Sequence, residues 1–203
     1  MIQERVFPDW EELYRNDGVE RLPWYSAPLD PDLEGALEQH GIRTGRVLDP
    51  GTGPGTQAMA LAERGFAVTA SDVSSAAVEY ARRKAAARGV AVRFVRDDVL
   101  ATRLTGPFDV VFDRGCFHVL KAAQRPVYVE TMHRLLAPSG WLFLKTFSHQ
   151  QFGDFGPYRF APDEIHRLFD STAGFRVVDI VDTVFQGQLD PFPKALFSTI
   201  RRV

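Results

Sequence analysis

The chain has 203 residues, 45% of them hydrophobic and 25% charged, and carries a formal net charge of -2. This length predicts one domain, large enough to bury a core and too small for two catalytic domains, and the composition excludes a disordered or fibrous chain. Acidic and basic residues are mixed along the chain, without the electrostatic footprint a phosphate backbone demands, so nucleic acid is not an expected partner.

The single cysteine, Cys116, cannot close an internal disulfide and fits a reducing cytoplasm. The segment from Met1 to Pro8 carries both charges and has no apolar centre, unlike a signal peptide. No stretch approaches the ~20 apolar residues needed to cross a bilayer. A soluble cytoplasmic protein, monomeric or homodimeric and with no membrane attachment, is the expectation.

In chain order, residues 1–40 read as an N-terminal arm in which Trp10, Tyr14, Trp24 and Tyr25 lie among Pro23, Pro28 and Pro31. A packed arm and a lid over a ligand are both open at this point. Arg46 to Asp49 is the first apolar run, followed by a glycine loop, Pro50 to Gly55, and by helical spacing from Thr56 to Arg64: strand, loop, helix. Gly65 stops that helix, and Phe66 to Ala70 gives a second strand ending at Ser71 and Asp72. Ser74 stands as an N-cap before an Ala-rich helix reaching about Arg88, with Gly89 as its stop.

Val90 to Val95 supplies a third strand ending at Asp97 and Asp98, and Phe108 to Phe112 a fourth ending at Asp113-Arg114-Gly115. Ala122 to Leu136 reads as a helix, Pro138-Ser139-Gly140 as a turn, and Trp141 to Phe147 as a fifth strand. Pro162 opens a helix to about Phe169, with proline in its permitted first turn. The runs Phe175 to Thr183 and Ala195 to Arg201 have only a loop between them, which suits an antiparallel pair. The expected fold is a single α/β domain, residues 1–203: a Rossmann-like, mainly parallel seven-stranded sheet with helices on both faces and one antiparallel strand in the C-terminal hairpin.

Ligands of such sheets bind beyond the carboxyl ends of the strands, where Asp49, Asp72, Asp98 and Asp113 fall. A glycine loop serves two cofactor classes. Dinucleotides place a pyrophosphate at the helix N-terminus, where bare N–H groups favour an anion, and Asp49 just before the glycines opposes one. S-adenosylmethionine carries an ammonium and a sulfonium, which a carboxylate favours. The stretch Gly53-x-Gly55-x-x-Ala58 fits the dinucleotide pattern by itself, so an NAD(P)-binding oxidoreductase stays as the alternative of another class, beside a non-catalytic S-adenosylmethionine-binding protein.

Leu48-Asp49-Pro50-Gly51-Thr52-Gly53-Pro54-Gly55, then Asp72, then Asp97-Asp98-Val99, resembles the signature of class I S-adenosylmethionine-dependent methyltransferases. Within that superfamily the aromatic arm, Asp113-Arg114-Gly115 and Gly156-Pro157-Tyr158-Arg159-Phe160 resemble thiopurine S-methyltransferases and related tellurite-resistance enzymes. The resemblance implies S-adenosyl-L-methionine as cofactor and S-adenosyl-L-homocysteine as product. It places Asp49, Gly51 and Gly53 around the methionine part, Asp72 on the ribose hydroxyls, Val73 on the adenine face, and Asp98 with the Val99 N–H on the adenine edge. The family commonly has glycine where this chain has Asp97, which leaves open which of Asp97 and Asp98 faces adenine. Asp113, Arg114 and Trp24 complete the expected cofactor set.

An activated methyl donor needs a protein mainly to align the nucleophile and exclude water. A thiol, a few per cent ionised at neutral pH, reacts with little assistance, whereas an alcohol needs a base or a metal. A small-molecule thiol is therefore the favoured acceptor, with O-methylation of a small metabolite as the alternative and no metal expected. His118 and His149 are the candidate bases, and Arg159 is a candidate partner for an anionic acceptor. Each has a plain structural reading as well: a partly buried histidine, a solvated loop histidine and a surface ion pair. Cys116 is assigned no role.

Overall fold

The computed structural model describes residues 5–16 and 18–203. The first four residues of the arm, and with them half of the segment compared with a signal peptide, lie outside the described residues.

Among the described residues eight strands form one sheet: β1 (Arg46–Pro50), β2 (Ala67–Asp72), β3 (Arg93–Arg96), β4 (Phe108–Arg114), β5 (Leu136–Ser148), β6 (Arg159–Phe160), β7 (Phe175–Val184) and β8 (Lys194–Arg202). The order is β3-β2-β1-β4-β5-β8-β7. β1 to β5 pair in parallel, and β8 runs antiparallel to both β5 and β7. The seven-stranded path with one antiparallel strand is the expected one. The eighth strand, β6, is a two-residue pairing of Arg159 and Phe160 with Phe147 and Ser148, too short to leave an alternating pattern in the sequence.

The helices are α1 (Trp10–Arg15), α2 (Pro31–Gln39), α3 (Thr56–Glu63), α4 (Ser75–Ala87), α5 (Arg125–Leu135) and α6 (Pro162–Leu168). α2, α3 and α4 supply Leu33, Leu37, Met59, Leu61 and Val78 to one core, against Val47, Phe112 and Phe143 of the sheet. α5 and α6 supply Tyr128, Met132 and Ile165 to the other, against Val111, Leu142 and Leu144. The alternation of Phe143 with Leu142 and Leu144 between these cores is the period-two signature of a strand covered on both faces. Burial of each such side chain contributes roughly 1.5–3 kcal/mol.

Two expectations shift. The helix read over Ala122 to Leu136 divides into a 3-10 turn, Ala122–Gln124, and α5, whose first turn holds Pro126. The turn read at Pro138-Ser139-Gly140 lies inside β5. Phe108 pairs with Leu136 and Val110 with Trp141, so the intervening residues bulge out, with Ser139 at φ 60. The turn chemistry was real, but it kinks one strand where a change of element was expected.

Since β1 has β2 on one side and β4 on the other, strand order reverses between β1 and β4, and the edge beyond their carboxyl ends is where ligands of such sheets bind.

Candidate active site

Three carboxylates stand at that edge. Asp49, at the end of β1, is 3% exposed, and its Oδ2 accepts from the Thr52 hydroxyl at 2.6 Å. Burial pushes its carboxyl up to about 7; Asp113 and Asp72 add to that, while Thr52 and Arg114 oppose it. Among the described residues no basic side chain pairs with it. Asp72, at the end of β2, accepts from the Gly53 N–H and the Ser74 N–H, each at 2.9 Å. Burial raises its carboxyl also, against those N–H groups. Each of its oxygens keeps a second lone pair for a further donor.

The glycine loop runs between these two carboxylates. Gly51 has φ 65 and Gly53 φ 52, dihedrals that side chains resist. A Cβ on Gly51 would meet the Cys116 Cβ at 2.7 Å, and one on Gly53 would meet the Tyr14 hydroxyl at 2.5 Å. The loop is thus closed in by β4 on one side and by the arm on the other.

Beyond Asp72, Val73 leaves 48% of its surface exposed. Asp97 and Asp98 separate clearly. Asp97 accepts from the Thr102 hydroxyl and the Arg103 N–H, a loop-closing role. Asp98 is exposed and caps the Leu100 N–H through Oδ1 alone, with half-buried Val99 beside it.

Asp113 and Arg114, expected among the cofactor contacts, take other work. Asp113 is fully buried, and its carboxylate accepts from the N–H groups of Gly115, Cys116 and Phe117 and from the Tyr128 hydroxyl at 2.6 Å. It shapes the loop after β4, its carboxyl pushed up to about 6 by burial against those donors. Arg114 turns to the opposite side of the sheet. Its Nε pairs with Asp30 at 2.7 Å, Nη1 donates to the Trp24 carbonyl at 3.1 Å and Nη2 to the Gln186 carbonyl. Asp30 also holds Lys145, a β5 lysine with no exposed surface, at 2.7 Å; the same ammonium reaches Asp32 at 2.6 Å and Gln186 Oε1 at 2.8 Å.

This buried network ties the arm to the segment after β7. The Gln188 N–H donates to the Pro23 carbonyl at 2.9 Å, and a Cβ on Gly187 would lie 2.1 Å from that oxygen. Trp24 donates through Nε1 to the Tyr14 hydroxyl at 3.1 Å and packs edge-on against Trp10. α1 is anchored in turn: Glu11 accepts from the Ser74 hydroxyl at 2.8 Å and from the Ala76 N–H at 3.2 Å, at the start of α4.

On the acceptor side, His118 is 7% exposed, wedged edge-on to Phe147 and tilted against Phe185. Its Nδ1 accepts from the Phe147 N–H at 3.3 Å. Burial and the Arg114 charge lower the imidazole to about 3, so the expected base is a neutral ring with almost no basicity at physiological pH. His149 is exposed, in a loop whose N–H bonds the Phe160 carbonyl. Arg159, expected to pair with an anion, donates to the carbonyls of Phe152, Gly153 and Phe155 and closes its own loop. Cys116 lies against Gly51, its thiol pushed up by burial and by Asp113, Asp72 and Asp49, which leaves no nucleophilic thiolate.

Residues 47–140 match the methyltransferase domain family. The chain is 30% identical over 157 residues to a 2-heptyl-1-hydroxyquinolin-4(1H)-one methyltransferase of Mycobacteroides abscessus, covering 74% of this chain and 69% of the relative. This chain belongs to the class I S-adenosylmethionine-dependent methyltransferases. A probable thiol methyltransferase 2 of Arabidopsis thaliana is similar at 26% identity over 90% of this chain and 80% of the relative. A solved structure from work on converting a disulfide bond into a thioacetal group during echinomycin biosynthesis superposes with a TM-score of 0.81 at 26% identity, covering 95% of this chain and 91% of its own. The methyltransferase methylates a small molecule, and the oxidoreductase and pure binding-protein alternatives fall with this membership. Among the described residues no helix is long and apolar enough to cross a membrane.

S-adenosylmethionine fits the chemistry of this edge. Among the described residues Asp49 is a buried carboxylate with one hydroxyl donor and no paired cation, a setting that would suit an ammonium; Asp72 has lone pairs that could take two hydroxyls, and Val73 an exposed apolar surface that could take a planar ring.

Proposed function

We propose that this methyltransferase, acting as a single domain, transfers a methyl group to the sulfur of a small thiol. Bound S-adenosylmethionine supplies a methyl on a sulfonium, a group already activated for in-line displacement. In this reading Asp49 holds the methionine ammonium over the backbone of Gly51 and Gly53, Asp72 accepts from both ribose hydroxyls, Val73 lies on the adenine face, and Asp98 with the Val99 N–H reads the adenine edge. Trp24, with Trp10 and Tyr14, forms a lid that excludes water, and the Arg114 fork sets its height.

The observation that carries the acceptor is the state of His118. Burial between Phe147 and Phe185, with the Arg114 charge, pushes the ring down to about 3 and makes it a weak base toward an alcohol or an amine at neutral pH. A thiol ionises near ~8.5 and supplies its own nucleophile. The similarity to a probable thiol methyltransferase supports this choice, and the hydroxyquinolone methyltransferase relative favours an acidic oxygen acceptor as the second reading.

The test has two parts. Calorimetric titration with S-adenosylmethionine and S-adenosylhomocysteine should show binding that weakens at least 100-fold in Asp72→Ala, the size expected for two charge-assisted hydrogen bonds. Mass spectrometry of a panel of thiols, acidic N- or C-hydroxyl compounds and amines should find the methyl on sulfur. Methyl transfer confined to oxygen or nitrogen would overturn the thiol reading.

A further inference from the structure

We propose that His118 is the group that holds the acceptor atom, donating a hydrogen bond from Nε2 to a thiolate, and that it does so as a neutral ring with a fixed tautomer. The inference rests on the thiol reading above and deepens it.

Nδ1 of His118 accepts from the Phe147 backbone N–H at 3.3 Å. In a neutral imidazole only one nitrogen carries hydrogen, so accepting at Nδ1 puts the proton on Nε2. Among the described residues Nε2 makes no hydrogen bond, and it is not one of the fully buried polar atoms left without a partner, so it reaches accessible space. Its direction follows from Gly115: a Cβ there would stand 3.0 Å from Nε2, so the nitrogen overlies the backbone that leaves β4. Cys116, the next residue, touches Gly51 of the cofactor loop. An N–H donor therefore stands beside the point where the end of β4 meets the methionine end of the cofactor site.

The walls around the ring favour the same role. Phe147 on β5 and Phe185 after β7 present aromatic rings 5.4 and 5.3 Å from the imidazole centroid. The charged group that acts on it is the Arg114 guanidinium, which lies 5.3 Å from the Phe185 ring. A cation there keeps a second positive charge off the imidazole, yet it favours an anion nearby. A thiolate gains more from an N–H donor set against aromatic walls than it would in open water.

The step needs no proton transfer on the enzyme. The thiol proton leaves to solvent on binding, a sulfur lone pair forms the new carbon–sulfur bond, and the breaking sulfonium bond returns its pair to the leaving sulfur. His118 keeps its proton throughout. Its contribution is a lower pKa of the bound thiol and a fixed line of attack.

Two substitutions separate the ring nitrogens. His118→Asn keeps an acceptor near Nδ1 and loses the Nε2 donor; His118→Gln keeps a donor near Nε2 and loses the Nδ1 acceptor. For each variant, S-adenosylhomocysteine affinity and melting temperature report folding. The apparent pKa of thiophenol bound to the S-adenosylhomocysteine complex, read from the near-ultraviolet thiolate band, and kcat/KM for the same thiol report function. The proposal expects His118→Asn to lose about 10- to 100-fold in kcat/KM, the range for a hydrogen bond to a charged group, and to raise the bound thiophenol pKa by one or more. His118→Gln should keep most of both, and the wild-type pH profile, taken with an alkyl thiol that ionises near ~8.5, should rise with thiol ionisation and show no histidine limb near ~6.5. Equal effects in the two variants, no effect in either, or loss confined to His118→Gln would overturn it. A wild-type enzyme that methylates no thiol would instead refute the thiol reading on which it rests.

Discussion

Asp30→Ala is the substitution whose consequences the structure defines most fully. Asp30 has no exposed side-chain surface and meets two cations, Arg114 at 2.7 Å and Lys145 at 2.7 Å, while its Oδ1 caps the Asp32 N–H at 3.1 Å. Removing one member of a buried ion pair costs about 3–5 kcal/mol, because the other charge stays buried without its partner. Here Lys145 keeps Asp32 and Gln186, and Arg114 keeps two backbone carbonyls, which places the loss near the lower limit, about 3 kcal/mol. The lost cap of α2 adds about 1 kcal/mol. A total near 4 kcal/mol corresponds to a fall in melting temperature of about 8–16 °C for a domain of this size. Urea unfolding followed by circular dichroism measures it, alongside Lys145→Met and the double variant. Because both single variants break the same Asp30–Lys145 pair, the double variant should lose less than the two single losses combined. Additive losses, or an Asp30→Ala cost under about 1 kcal/mol, would refute the account of this network.

Asp49→Asn should stabilise the unliganded protein at pH 8 and weaken its cofactor binding. The folded carboxyl titrates near 7 against 3.8 unfolded, so between those values the folded state binds more protons and stability falls as pH rises, by up to about 4 kcal/mol above pH 7. Thermal melts from pH 4 to 8 should show that slope in the wild type and a shallower one in the variant, where Asp113, raised to about 6, and Asp72, also raised, still bind protons in the folded state. Gly187→Ala forces a Cβ toward the Pro23 carbonyl, 2.1 Å away; we expect a loss of about 1–3 kcal/mol, read by urea unfolding, and a raised KM as the arm lifts. Trp24→Ala removes the Tyr14 partner and the Trp10 contact and should weaken S-adenosylhomocysteine binding several-fold by calorimetry, with little change in the melting temperature of the sheet.

The parts of this molecule legible in the sequence are those set by local pattern. The glycine loop, the ends of β1 and β2 and the cap at Ser74 each follow from residues within a few positions of one another, and the mainly parallel sheet with its antiparallel C-terminal strand followed from the alternation of strands and helices and the closing hairpin. Roles that depend on long-range pairing were not legible. Arg114 reads as a cofactor contact because it follows β4, yet its guanidinium is claimed by Asp30, 84 positions away. Lys145 in a strongly apolar strand gave no sign of its partners Asp30 and Asp32, since only the fold brings β5 beneath α2. The basicity of His118 was unreadable for the same reason: a histidine between apolar neighbours was visible, but the Phe185 ring and the Arg114 charge that suppress protonation come from elsewhere in the chain.

The opposite faces of the sheet edge treat charge in opposite ways, and that difference organises the site. Beneath α2, Asp30 and Asp32 meet Arg114 and Lys145, and the charges there are mutually satisfied, a frame that needs nothing further. At the carboxyl ends of the strands, Asp49, Asp72 and Asp113 stand within one another's field, and their carboxyls are raised by burial. Backbone N–H groups hold Asp72 and Asp113, but Asp49 has one hydroxyl. A buried carboxylate left so nearly alone destabilises the free fold as it ionises. A bound ammonium reverses that sign, because the same low dielectric that penalises the lone anion strengthens the pair. In the proposed reading the destabilising charge and the preference for a cationic cofactor come from one residue, Asp49, while the ion pairs of Asp30 and Asp32 beneath α2 are complete without a ligand.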